Sequence, residues 1–161
     1  MEYNVKVWRQ KNAKAKGHFE TYHVTDVEED ASFLEMLDIL NDQLIRKGIE
    51  EIKKLREEFW KTVCVPGTNE EFNQELEKAL RLVDFFDIGE LMAYDALNRR
   101  ESCGGHFREE MQTEEGETKR DDENFMYVAA WEYKGEGKEP ELHKEDLKYE
   151  NIKIATRNYK D

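Results

Sequence analysis

Residues 32–67 read SFLEMLDILNDQLIRKGIEEIKKLREEFWKTVCVPG, and how this stretch folds decides the architecture on both sides of it. Ser32 stands three residues before Glu35, the spacing of a capping box. There the Ser hydroxyl accepts from the Glu35 amide and the Glu carboxylate accepts from the Ser32 amide. Leu34, Leu37, Leu40 (or Asn41) and Leu44 then mark one face of a helix, and Gly48 is placed to end it. Ile52, Leu55 and Phe59 give the stripe of a second helix from Ile49 to about Val63, stopped by Pro66-Gly67. Gly48 is the only break between the two, so one bent rod satisfies the same pattern.

Towards the N-terminus, Tyr3, Val5 and Val7 alternate with Asn4 and Lys6, as in a half-buried strand. A basic loop (Lys11, Lys14, Lys16, closing at Gly17) leads into a second strand from His18 to Val24, which predicts a hairpin. An acidic turn, Glu28 to Asp30, joins it to Ser32. Towards the C-terminus, Thr68 and Glu71 form a second capping box. The helix that follows has Phe72, Leu76, Leu80, Val83, Phe86, Leu91 and Leu97 on one side, with a bend at Gly89. Residues 101–124 read as a loop, Phe125 to Tyr133 as a strand, and Leu147 to Ala155 as a final strand. The predicted class is α+β: an N-terminal hairpin, three central helices and C-terminal short strands.

Composition narrows the function classes. Of 161 residues 39% are charged and 38% hydrophobic, so any core is small or is completed by a partner. The formal net charge is −13. Residues 1–48 carry −2 of it, with seven basic and nine acidic residues, and residues 49–161 carry −11. An acidic surface repels phosphate backbones, which excludes nucleic acid as a partner. No apolar run approaches the roughly 20 residues of a membrane helix, and no basic-then-apolar leader follows Met1. Cys64 and Cys103 lie far apart and read as two reduced cytosolic thiols.

Residues 3–48, from YNVKVWRQKNAKAKGHF to SFLEMLDILNDQLIRKG, resemble the start of the iron–sulfur subunit of succinate dehydrogenase/fumarate reductase. In that family these strands and this helix open a partial ferredoxin-like (β-grasp) domain. Residues 49–161 resemble the C-terminal region of the flavoprotein subunit of the same family. The matching strings are LREEFWKTVCVPGTNEEFNQELEKA, DALNRRESCGGHFREEMQTEEG, RDDENFMYVAAWEY and GEGKEPELHKEDL. The chain is thus similar to a fusion of two pieces from different polypeptides of one complex, joined near Gly48. The resemblance implies other subunits of that complex, or a second copy of this chain, as partners. It also implies a cytoplasmic location, with the parent complex at the cytoplasmic face of the membrane and no direct membrane insertion.

The same resemblance sets what chemistry to expect. The family's FAD sits in a Gly-rich dinucleotide fold, and no G-x-G-x-x-G follows a strand here. Its two-iron cluster needs four thiolates at set spacings, against two distant cysteines. The expectation is therefore a chain with no flavin, no iron–sulfur cluster and no catalytic residue, not an enzyme on its own. One constellation is weighed further: Cys103-Gly104-Gly105-His106, followed by Arg108. Thiolate and imidazole three apart can share a zinc, or His106 can activate the thiol, which makes a small metal- or thiol-dependent protein the alternative. No second Cys/His pair stands nearby, so a Gly-rich turn is the preferred reading. His18, His23 and His143 read as surface or edge residues. The acidic run Glu109 to Glu123 lacks calcium-loop spacing and reads as a solvated loop.

Overall fold

The computed structural model describes residues 1–67, 72–135 and 137–155. The class is α+β, in the order β1 (Tyr3–Arg9), β2 (His18–Val24), α1 (Phe33–Thr62), α2 (Gln74–Asn98), α3 (Asp122–Phe125), β3 (Tyr127–Glu132) and β4 (Glu141–Asp146). The strands make two separate antiparallel hairpins, β1–β2 and β3–β4. Among the described residues, no strand pairing joins the N-terminal hairpin to the C-terminal one. The N-terminal hairpin lies instead against α1, through β2.

The capping box at Ser32 forms in both directions. The helix it starts does not stop at Gly48: α1 is one continuous rod to Thr62. A single glycine inside a helix costs only about 1 kcal/mol relative to alanine, which thirty residues of otherwise good helix formers absorb. The Thr68–Glu71 box lies outside the described residues. The cap of α2 is Asn73, whose side-chain oxygen accepts from the amides of Glu75 and Leu76. α2 runs through Gly89 without stopping; a Cβ there would meet Ile52 of α1 at an ordinary contact distance of 4.0 Å. The third helix is the short α3, within what sequence alone reads as loop, capped by Asp121.

The fully buried core is small and lies where β2 meets α1. Val24, Val27 and Leu40 are buried, with Val5, Tyr22, Ala31, Met36, Leu37, Ile39 and Leu44 packed around them. The alternation of β1 is the reason: Tyr3 pairs with Val24 and Val5 with Tyr22, which turns their side of the ribbon towards the helix. Two further ties hold the ribbon down. The Met1 ammonium donates to the Val27 carbonyl, and Gln43 Nε2 of α1 donates to the carbonyl and hydroxyl of Thr25 at 3.2 Å. α1 and α2 pack antiparallel, with Phe59 edge-on to Phe86 and Arg56 paired to Asp87 and Glu90 at 2.9 and 2.7 Å.

The last strand departs from expectation. Leu147 to Ala155 is not a strand; pairing ends at Asp146, and β4 is the charged stretch ELHKED. Apolar alternation is a poor guide here because β4 is exposed along nearly its whole length. Its register with β3 is fixed by backbone pairing and by Lys144 stacking over Tyr127 at 4.3 Å. Among the described residues, no helix is long and apolar enough to cross a membrane.

Candidate functional site

Asp38 and Asp42 stand one turn apart on α1, in line with the buried Ile49. Acids on the inward stripe of a helix need cations, because burying an unpaired carboxylate costs several kcal/mol. Arg108 supplies one. Its side chain is 5% exposed and reaches Asp38 at 2.5 Å and Asp42 at 3.0 Å through Nη2. Its Nε meets Glu110, itself 8% exposed, at 2.5 Å, and Nη1 donates to the Ala96 carbonyl at the end of α2 at 3.2 Å. Arg100 closes the same two aspartates from the solvent side. Asn41 Nδ2 donates to Glu110 at 3.1 Å. The knot therefore fastens α1, the end of α2 and the loop after it to one guanidinium.

Its electrostatics are divided between two carboxyls. Burial and a hydrogen bond with Glu110 raise the Asp38 carboxyl above its ordinary value, against the pull of Arg100 and Arg108. Burial also pushes Glu110 upward. Its own amide, Arg108 and the bond with Asp38 outweigh that and hold it below its ordinary value. Every guanidinium nitrogen of Arg108 faces an acceptor of its own chain, so in this arrangement the group ties three segments together.

Cys103, His106 and Arg108 share one turn but not one task. Cys103 and His106 pair through both backbone bonds, at 2.9 and 3.1 Å, and Gly104 between them has φ +58°, a conformation glycine adopts without strain. The His106 Nε2 faces the Arg99 carbonyl at 2.8 Å. Facing a carbonyl, that nitrogen is the donor, which fixes the ring orientation and leaves Nδ1 as the unprotonated nitrogen. The next residues anchor the turn: Ser102, fully buried, accepts from the Arg108 amide at 2.8 Å and donates to its carbonyl at 3.1 Å. Replacing Cys103 with Ser is expected to change stability by roughly 0–2 kcal/mol, read as thermal unfolding. A purified chain that binds zinc in proportion to Cys103 would reverse this assignment.

His18, His23 and His143 are exposed. His143, with Glu132 and Glu141, brings ligand atoms within 4.8 Å of one another. Lys134 already sits on both carboxylates there, at 3.2 and 2.8 Å. An open hollow lined by Val128 and residues 144–148 contains no member of the Arg108 knot. The acidic run is not uniformly solvated, since the Glu110 side chain is held against Arg108 at 8% exposure and Asp121 caps α3. Sequence reasoning singled out Arg108 but missed Asp38, Asp42, Arg100 and Glu110. The available signal was the pair of acids four apart on the inward stripe of α1.

The family described as the fumarate reductase flavoprotein C-terminus matches residues 39–159, and the chain belongs to that family. It is 37% identical over 117 residues to the fumarate reductase flavoprotein subunit of Proteus vulgaris, a match covering 73% of this chain and 19% of the relative. The corresponding subunit of a Serratia species is 34% identical over the same length and coverage. A solved structure of Escherichia coli quinol fumarate reductase, its FrdA chain carrying a single Glu-to-Gln substitution, superposes with a TM-score of 0.57 at 30% identity. That superposition covers 71% of this chain and 19% of that one. The chain thus spans about a fifth of the length of the relatives it matches. The family match begins inside α1, so Asp42, Arg100, Arg108 and Glu110 all fall within it and Asp38 just before it.

Proposed function

We propose that this chain is a non-catalytic, structural piece of a succinate dehydrogenase/fumarate reductase complex, acting where its subunits meet. In this reading residues 49–161 are the C-terminal flavoprotein region, and residues 3–48 take the part of the hairpin and helix that open the iron–sulfur subunit. Flavin and clusters belong to the other parts of the complex. The role is to hold electron-transfer subunits together at the cytoplasmic side of the membrane. The observation that carries the reading is Arg108: the buried guanidinium on which the domain converges has all its nitrogens facing its own chain. Exposed apolar side chains on α2, Phe85, Ile88 and Met92 among them, add a surface suited to a protein partner.

The test uses the purified chain in two assays. It should show no visible flavin or iron–sulfur absorbance and no succinate-dependent dye reduction. It should also form a complex with the separately purified iron–sulfur or flavoprotein subunit of a fumarate reductase, seen by sedimentation. A coloured, reducing chain, or one that binds neither subunit, overturns the reading.

A further inference from the structure

The hairpin β1–β2 has a second face, turned away from α1, which carries Asn4, Lys6, Trp8, Phe19, Thr21 and His23 by register. Trp8 and Phe19 stand directly opposite each other and meet edge to face at 5.0 Å, yet remain 53% and 66% exposed. The aromatic pair is built, not incidental. Trp8 lies over Gly17 so closely that a Cβ there would stand 2.3 Å from its ring. The loop beside this face is basic, with Lys11, Lys14 and Lys16, and residues 1–24 as a whole carry five basic and two acidic side chains, against a total of −13.

The complementary surface is on α2. Phe85, Ile88 and Met92 recur at i, i+3 and i+7, the spacing of a helix presented to a groove or sheet. They are 68%, 53% and 66% exposed, on the side opposite the Phe86 that packs on α1. α2 as a whole carries six acidic and two basic residues. A ribbon with an aromatic centre beside a basic loop and an acidic helix with an apolar stripe match in both charge and character. Within one chain they cannot meet, because the ribbon's other face is fixed on the N-terminal half of α1.

We propose that the occupant of the α2 stripe in the isolated protein is the outer hairpin face of a second copy of this chain. Reciprocal contacts close a dimer, whereas a one-way contact propagates. The inference rests on reading α2 as a docking face and names what covers it when no other subunit is present.

The experiment is sedimentation of the full chain over about a hundredfold range of concentration, at low and high salt. A concentration-dependent dimer that weakens as salt rises is expected, since exposed charges are screened over about 8–10 Å. Trp8→Ser/Phe19→Ser and Phe85→Ser/Met92→Ser should each remain monomeric with unchanged circular dichroism, the sites being exposed. Mixed in equal amounts, the two variants should associate, more weakly than the parent chain but more than either variant alone, because one of the two reciprocal contacts then joins an intact helix stripe to an intact hairpin. A wild-type chain monomeric throughout, a dimer undiminished in either variant, or variants that fail to complement overturns the proposal. A monomer that still binds a fumarate reductase subunit overturns self-docking alone. A dimer that binds no subunit supports self-docking and overturns the broader reading.

Discussion

Arg108→Met is expected to lower stability by about 3–5 kcal/mol, the cost of removing one partner from a buried ionic cluster. In a chain of this size that shifts the melting temperature by about 10 °C. The reason is what remains behind: Asp42 and Glu110 are 14% and 8% exposed, and neither can be solvated without opening the contact between α1 and the 101–111 loop. Arg100, 51% exposed, keeps contact with the aspartates but has no bond to Glu110. Arg108→Lys should fall between, since one ammonium cannot reach Glu110, the two aspartates and the Ala96 carbonyl together. Arg100→Ala should cost no more than about 1 kcal/mol, as exposed pairs do. A melting temperature unchanged in Arg108→Met would show the knot to be ornamental.

The knot also sets how stability responds to acid, with two contributions of opposite sign. Glu110 lies below its ordinary value of 4.5 in the fold. Its contribution is complete above that value and is lost as pH falls through the depressed folded pKa. Asp38 lies above its ordinary value of 3.8. Its contribution is complete below 3.8 and is lost as pH rises through the elevated folded pKa. Glu110→Gln should therefore be most harmful near neutrality and approach the parent chain in acid. Asp38→Asn, which mimics the protonated acid, should gain on the parent chain as pH rises through that window. Melting temperature against pH for the two variants checks both signs.

What the sequence made legible follows from how local each signal is. The capping box at Ser32, the alternation of Tyr3, Val5 and Val7, and the basic loop of the hairpin depend on neighbours a few residues away, and each stands in the fold. The family assignment of the C-terminal part was also legible, from strings such as DALNRRESCGGHFREEM. The end of α1 at Thr62 was legible too, close to the expected Val63; what stayed open was continuity through Gly48, because a lone glycine costs a helix too little to decide whether it breaks. The last strand was misplaced because apolar alternation at Tyr149, Ile152 and Ile154 counts for little where nothing packs on it; those three side chains are exposed. The partners of Arg108 were hidden for a third reason. Asp38 lies 70 residues away in sequence, and spacing along a chain says nothing about pairing at that separation. Cys103 drew attention as a reactive residue type, although its turn serves mainly to place Ser102 and Arg108.

Removal of residues 1–48 is expected to abolish cooperative unfolding of the remainder, the largest effect of any change considered. The two resembling segments meet near Gly48, so independent folding of residues 49–161 is the natural expectation if each segment is self-contained. The contacts argue otherwise. The cut takes Leu40 out of the core, shortens α1 to Ile49–Thr62, and removes both aspartates from Arg100 and Arg108. A helix of that length is marginal alone in water, and the end of α2 at Ala96 loses its tie to Asp38 and Asp42 through Arg108. Removing residues 1–30 is the informative control. It deletes Val24 and Val27, each worth about 1.5–3 kcal/mol when buried, but leaves the Ser32 cap, Asp38 and Asp42 in place. The shorter deletion should melt earlier but still cooperatively; the longer one should show a broad, non-cooperative loss of helix by circular dichroism. Should residues 49–161 melt sharply at the temperature of the whole chain, α1 is not the spine that joins the two segments, and Arg108 finds its charge balance without the N-terminal half.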